Sequence, residues 1–564
     1  MRWTIKPQPN LNEVQHLSKA LGVPDQISRL LVQRDIKTFE EAKAFFRPDL
    51  KDLHDPFLMK DMQKAVDRIV EALQNKERIL VYGDYDVDGT TSVALLSSFL
   101  ETKSSLITTY IPDRYQEGYG VSYQGIDYAS DNDISLIITL DCGIKAIDKV
   151  IYAKEKDIDF IICDHHRPGA KIPDAIAVLD PKREDCPYPY KELCGCGVGF
   201  KLIQAITFYL QEPFSNLIPY LDLVATAIAA DIVPMTGENR ILTYHGLRLL
   251  NTKPRIGFKA LLSSVKKEEL TITDVVFIIA PRINAAGRMK HGQHAVMLLK
   301  EEHPETARQY AQEIEHFNSD RRVTDQHTTV EALTQIIENN EEANASTVVY
   351  HKAWHKGVIG IVASRLTETY YRPTVVFTKS GDKLAASVRS VKGFDVYKAL
   401  QQCADHLEQF GGHKYAAGLT LYEHQYQDFK NKFEEVVLNT LSTNLKEPEI
   451  IIDNTLEFSE ITPKLHRILK QFAPFGPGNM MPVFMTEGVK DTGYGKCVGS
   501  DSKHLKATFV KRNSRFNAIG FNLGSKCDFI ENQCSCSIAY TIDENEWNDE
   551  ITLQLKVKDI KSIL

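Results

Sequence analysis

The chain has 564 residues, a formal net charge of −8, and 43% hydrophobic and 25% charged residues. One domain takes about 100–200 residues, so this length excludes a single core and points to three to five domains. The acid excess excludes a global basic field, so a polyanionic partner would have to be held by local positive charge.

Residues 1–55 read as short helical patterns broken by Pro24 and Pro48, an N-terminal helical segment. Ala65 to Leu73 follows as an amphipathic helix, with Val66, Ile69, Val70 and Leu73 at helical spacing. It leads into a strand at Arg78 to Tyr82. From there strands and helices alternate: helix Thr90 to Leu100, strand Ser135 to Leu140, helix Ile144 to Lys156, strand Asp159 to Cys163, strand Ala175 to Leu179. Alternation of this kind means a parallel sheet with crossovers, whose ligands bind beyond the carboxyl ends of the strands.

Residues 299–344 are rich in Glu, Gln, Arg and His with few breakers, which predicts a long, mostly solvated connecting helix. Ser346 to Tyr350 and Pro373 to Phe377 are expected strands and Gly357 to Leu366 a helix. With turns at Arg389 to Gly393 and Gly411 to Gly418 they make a second α/β domain over 345–440. Over 445–564 short strands separated by Gly, Asn and Asp turns predict a small β-barrel.

The cysteines form no C-x-x-C pair, only Cys194-Gly-Cys196 and Cys534-Ser-Cys536. That spacing does not suit structural zinc, so reduced thiols are expected. MRWTIKPQPN lacks a basic and then apolar leader, and no run reaches the ~20 apolar residues of a membrane span. A soluble, cytoplasmic protein with no membrane partner is the expectation.

Four carboxylate-bearing segments each end an apolar run: Val81-Tyr-Gly-Asp-Tyr-Asp-Val-Asp-Gly89, Thr139-Leu-Asp-Cys-Gly143, Cys163-Asp-His-His166 and Ala230-Asp-Ile-Val-Pro234. Hard divalent cations need several oxygen ligands. Asp86 and Asp88, alternating in a loop before Gly89, could each give an oxygen to one of two cations, with Asp141 as the bridge. His165 adds an imidazole, which suits Mn²⁺ more than Mg²⁺, and Asp231 closes the set. A lone Asp after a strand is usually a turn or cap residue, but four such segments in parallel-sheet order are hard to assign to capping.

These segments resemble the motifs of the DHH phosphoesterase superfamily, named for the triplet Asp164-His165-His166, and within it the RecJ exonuclease family. The G-D-Y-D-x-D-G opening stands at 83–89 and the T-x-x-x-A-D-x-x-P block at 226–234. Pro281-Arg-Ile-Asn-Ala-Ala-Gly-Arg288 is present, as is Gly411-Gly-His-Lys-Tyr-Ala-Ala-Gly418 of the associated DHHA1 domain.

The resemblance implies an α/β fold class: a parallel-sheet DHH domain over 56–298, the connecting helix, an α/β DHHA1 domain, and an all-β OB-fold barrel for nucleic acid. It implies metal ligation by Asp86, Asp88, Asp141, His165 and Asp231, using two Mn²⁺ or Mg²⁺ ions. His166 would contact the scissile phosphate. Tyr82 stands where many superfamily members have His, and Asp84 takes a catalytic role beside it. Arg114, Ser387 and Arg389, the last two read as a turn, correspond to a pocket for a 5′-terminal phosphate. Arg282, Asn284 and Arg288, read as a loop, and His413 would hold the backbone. Lys503, Lys506, Lys511, Arg512 and Arg515 cluster on one expected strand pair of the barrel.

The implied activity is 5′→3′ hydrolysis of single-stranded DNA to 5′-mononucleotides in repair and recombination, with a helicase and a single-strand-binding protein as partners. The alternatives are a phosphodiesterase for oligoribonucleotides or cyclic dinucleotides, and a catalytically silent nucleic-acid scaffold. The barrel argues against the first, and the retained ligand set against the second.

Overall fold

The computed structural model describes residues 1–532, 534–547 and 550–563; residue 564, the end of the expected barrel domain, lies outside them. The chain falls into two units: His54–Asp231 with His245–Pro448, and Met1–Leu53 with Ile232–Tyr244 and Glu449–Leu564.

The first of these units holds two sheets. One is wholly parallel, in the order Ile107–Tyr110, Arg78–Gly83, Ile134–Leu140, Asp159–Cys163, Ala177–Leu179. Its central strands are continuous apolar runs buried along their length, as expected when helices cover both faces. The edge strand Ile107–Tyr110, half-buried and with Thr at two of four positions, has no expected counterpart in the sequence reading. All carboxyl ends lie on one side of the sheet, so Asp84, Asp141 and Asp164 leave it together.

The second sheet runs Gln409–Gly412, Ala416–Tyr422, Lys383–Arg389, Thr374–Ser380, Thr347–Tyr350, with only the last pair parallel. Between the sheets in sequence lies a helix of 35 residues, Pro304–Glu338. It is largely solvated, as expected, with Ala307, Ile314, Phe317, Ala332 and Ile336 forming a buried stripe along it.

The other unit contains a seven-stranded sheet. Strand Phe484–Asp491 pairs with Cys536–Trp547 on one side and with His504–Lys511 on the other, which closes the sheet into a barrel. Two expectations change here. Glu449–Ile452 is not a barrel strand but pairs in parallel with Arg2–Ile5, so the N-terminal segment is not purely helical. That segment also shares the barrel's core: Val14, Leu17, Ile27, Leu30 and Leu31 cluster with Phe484, Leu505, Phe509, Ile538 and Leu555. The all-reduced reading of the cysteines fails at Cys497 and Cys527, which are disulfide-bonded with Cα atoms 6.3 Å apart. No helix among the described residues is long and apolar enough to cross a membrane.

Candidate metal centre and phosphate pocket

Strand Arg78–Gly83 ends at Asp84, and the chain then turns into helix Val87–Glu101 with Asp86 as its N-cap, accepting from Gly89 N at 3.0 Å. Asp88 therefore lies in the first helical turn, not in a loop as read from the sequence. Both its oxygens are held by a second helix, Gly195–Tyr209: Gly195 N donates to Oδ2 at 2.6 Å and Cys196 N to Oδ1 at 2.7 Å. The helix gets that close because residue 195 is glycine. A Cβ there would lie 2.5 Å from Asp141 Cβ.

Asp141 has a left-handed backbone, φ 59°, which Asp tolerates better than most residues. This turns it off the end of Ile134–Leu140 toward His165, whose Nε2 is 3.1 Å from Asp141 Oδ1, 3.8 Å from Asp88 Oδ2 and 3.7 Å from Asp231 Oδ2. Asp231 arrives as the C-cap of helix Leu221–Ala230. Three sets have ligand atoms within 4.8 Å of one another: Asp84, Asp86 and Asp141; Asp88, His165 and Asp231; Asp141, His165 and His166. Asp141 belongs to two of them.

These donors fit divalent cations. Burial and the charge of Asp86 push Asp88 up to about 7. Burial and neighbouring carboxylates likewise raise Asp141, Asp231 and Asp84 well above the carboxylate range. Burial, with the charge of His166, lowers His165 to about 3, which leaves a neutral imidazole ready to ligate. Among the described residues, the buried Asp231 Oδ2 and Asp84 Oδ1 have no hydrogen-bond partner. A bound dication would remove the mutual repulsion of the carboxylates.

Asp164, by contrast, is fully used by the protein. Its Oδ1 accepts from His165 N, His166 N and His166 Nδ1 at 2.7, 3.1 and 2.7 Å, and Oδ2 accepts from Ile144 N at 2.9 Å. Burial works against its charge, but these bonds and the charge of His166 outweigh it and hold Asp164 at about 2. In return Asp164 raises His166 to about 9 against the effect of burial, so His166 is cationic at neutral pH. Tyr82 is not at the site: it is buried in the core and donates to Gly120 O at 2.9 Å.

The metal donors open on a cavity of about 550 Å³ that also meets Tyr119, His413 and Arg389. The His413 ring lies parallel to His166 at 6.5 Å. Ser387 and Arg389 are not a turn but the end of strand Lys383–Arg389, where alternate residues share a face; Arg389 donates to Ser387 Oγ at 3.1 Å. Arg114 lies 4.4 Å over the Tyr85 ring. Arg282, Asn284 and Arg288 stand on a helix, Ala280–Met289, not a loop. Arg288 donates to Gly357 O at 3.0 Å, and burial together with Arg114, Arg389 and Arg321 lowers it to about 9. Crowded guanidiniums of this kind suit a phosphate. Arg282 is committed elsewhere, to Glu315 at 2.6 Å and Ile278 O at 2.8 Å, and Asn284 is half-buried on the same helix.

Residues 78–228 match the DHH family, N-terminal domain, residues 343–439 the DHHA1 domain, and residues 452–559 the RecJ OB domain. The chain is 37% identical to the single-stranded-DNA-specific exonuclease RecJ of Bacillus subtilis, over 99% of this chain and 70% of that protein. It is 33% identical to the RecJ of Salmonella typhimurium, over 95% and 96%. This chain belongs to the RecJ exonuclease family. A RecJ crystal structure from Thermus thermophilus in complex with Mn²⁺ superposes with a TM-score of 0.85 at 27% identity, covering all of this chain and 80% of that one. Its Mg²⁺ complex gives 0.78 at 25%.

Two parts of this cluster escape a reading of the sequence. Tyr119 Oη stands 3.3 Å from His166 Nε2, carried by a loop whose Gly118 and Gly120 have φ of 87° and 81°. Its only sequence signal is the pair of flanking glycines. The amides at Gly195 and Cys196 were signalled by the glycine run Gly195-Cys-Gly-Val-Gly199, since such a run opening a helix marks close approach of backbone to an anion.

Proposed function

We propose that this chain degrades single-stranded DNA from its 5′ end, hydrolysing phosphodiester bonds to release 5′-mononucleotides. The observation that carries the reading is one cavity lined by the carboxylates Asp86, Asp141 and Asp231 and by Arg389. A metal centre and a phosphate-binding guanidinium thus face the same space. The names of the relatives, single-stranded-DNA-specific exonucleases, support the substrate and reaction. The Mn²⁺ and Mg²⁺ complexes of a RecJ structure support these ions as cofactors, and Asp141, shared by two of the donor sets, supports a pair of them.

Asp86, Asp88, Asp141, His165 and Asp231 would hold the ions, which supply charge to polarise a phosphoryl oxygen and acidify a water. His166, cationic and fixed through Nδ1 by Asp164, presents Nε2–H to an oxygen of the scissile phosphate. Ser387, Arg389, Arg114 and Arg288 take the 5′-terminal phosphate, so the bond cut is one nucleotide from the end. Asp84, with a carboxylate oxygen beside those of Asp86 and Asp141, would add negative charge to the same centre. The barrel, whose outward basic residues include Lys506 and Arg515, follows the strand through charge and stacking. The reading extends to a cytoplasmic enzyme of repair and recombination, fed by a helicase and working beside a single-strand-binding protein.

The test is to incubate 5′-phosphorylated single strands and matched duplexes with Mn²⁺. Steady release of mononucleotides from single strands, abolished in Asp141→Ala, is expected. Activity on dinucleotides only would return the protein to the phosphodiesterase class.

A further inference from the structure

Two groups of cations border the carboxylate cluster, and they do not overlap. Arg114, Arg288 and Arg389 influence one another and, through Arg114, Asp84. The second group is Lys145, Arg167 and Lys182. Lys145 lines the catalytic cavity beside His166 and His413. Arg167 directly follows His166 and, with Gly169 and Lys182, lines a second cavity of about 900 Å³. The two cavities adjoin at Gly169, where a Cβ would sit 4.0 Å from Lys145 Cγ. All three charges reach His413, and Lys182 also acts on Asp231.

The other cations of this second cavity are spoken for. Arg183 bridges Asp61 and Asp185 at 2.8 Å each, and Lys191 donates to Cys186 O at 2.6 Å. Lys145 and Arg167 are exposed and form no ion pair among the described residues. Lys182 has only Glu192, at a loose 3.8 Å. Among the described residues, three cations thus stand beside the acidic cluster without a tight carboxylate partner, Lys145 lining the catalytic cavity and Arg167 and Lys182 the second one.

We propose that Lys145, Arg167 and Lys182 form a phosphate rail for the strand on the 3′ side of the scissile bond. The inference rests on the reading of the chain as a 5′→3′ exonuclease. With the terminal phosphate at Arg389 and the scissile phosphate at His166, the following phosphates leave past His413 onto the three cations. The rail holds the shortened strand after each cut, so it governs KM and run length on polymers and not the hydrolytic step.

The experiment compares a 5′-phosphorylated dinucleotide with a long single strand of mixed sequence, in Mn²⁺ and over a series of salt concentrations. In the triple variant Lys145→Ala, Arg167→Ala, Lys182→Ala, the ratio of kcat/KM for the long strand over the dinucleotide falls roughly tenfold or more. The slope of log KM against log salt falls by about 0.7 per charge removed. The charge-conserving pair Lys145→Arg, Lys182→Arg keeps both. If the lysines merely offset the acidic centre, dinucleotide cleavage and Mn²⁺ affinity drop as far as polymer cleavage does, and the proposal fails. An unchanged salt slope also overturns it. A wild-type protein that leaves single strands intact overturns instead the activity on which the rail depends.

Discussion

Gly195→Ala probes how the centre is assembled without replacing any proposed ligand. The new Cβ would lie 2.5 Å from Asp141 Cβ and 2.8 Å from Asp141 Cα. Ordinary carbon contacts are about 3.5–4.0 Å, so the start of helix Gly195–Tyr209 or Asp141 itself must move by about 1 Å. Overpacking of this kind costs about 1–3 kcal/mol. The same movement stretches the 2.6 and 2.7 Å bonds from Gly195 N and Cys196 N to Asp88; a bond to a charged acceptor contributes about 1.5–3 kcal/mol. Displacing catalytic groups by 1 Å costs about 10²-fold in rate. The variant should therefore unfold cooperatively at a somewhat lower temperature, bind Mn²⁺ more weakly by calorimetry, and lose about 10²-fold in kcat/KM on single strands. If it unfolds at a lower temperature yet keeps Mn²⁺ affinity and kcat/KM within twofold, the close approach of this helix does not set the site.

Other consequences are accessible with the same assays. In Asp164→Asn, His166 loses the partner that raises it to about 9, so the alkaline limit of activity moves down toward the ordinary imidazole range; an unshifted pH profile argues against His166 as the cationic group. The sign for stability follows. The His166–Asp164 pair stabilises fully below the ordinary histidine pKa and loses that contribution as pH rises through about 9, which urea unfolding against pH would register in the wild type and not in the variant. Arg389→Ala should lower kcat/KM for 5′-phosphorylated over 5′-hydroxyl ends by about 10–100-fold, the worth of a charge-assisted bond, and equal use of both ends would remove Arg389 from the pocket. Arg282→Ala breaks a half-exposed pair with Glu315 and a bond to Ile278 O, so its cost in stability is about 1–2 kcal/mol, and a much larger loss in thermal unfolding would show that the pair is more than a surface contact.

The central strands of the parallel sheet were legible because they are short apolar runs rich in β-branched residues, and each ends at a carboxylate that the run itself cannot explain. The order of ends places Asp84, Asp141 and Asp164 on one side without any further information. Legibility failed where breakers mislead. Pro281 and Gly287 made 281–288 look like a loop, yet the helix runs through Pro281, directly after the π-helical stretch Val275–Ile279. Gly287 is there because a Cβ would meet Tyr85 O at 2.6 Å. Gly393, soon after Arg389, suggested a turn that begins only once strand Lys383–Arg389 has ended. The pairing of Arg2–Ile5 with Glu449–Ile452 joins segments more than 400 residues apart, and no local pattern carries such a partner. The commitment of Arg282 to Glu315 is likewise a tertiary fact that residue type does not encode.

The central claim joins the metal centre to a pocket for the 5′ end, and product analysis on one substrate tests it most directly. A 5′-phosphorylated single strand carrying different labels at its two ends, digested with Mn²⁺ and sampled in time, should release the 5′-terminal label first, as a mononucleotide, while the matched duplex stays intact. Release of the 3′ label first, or cleavage of the duplex at the same rate, would contradict the account.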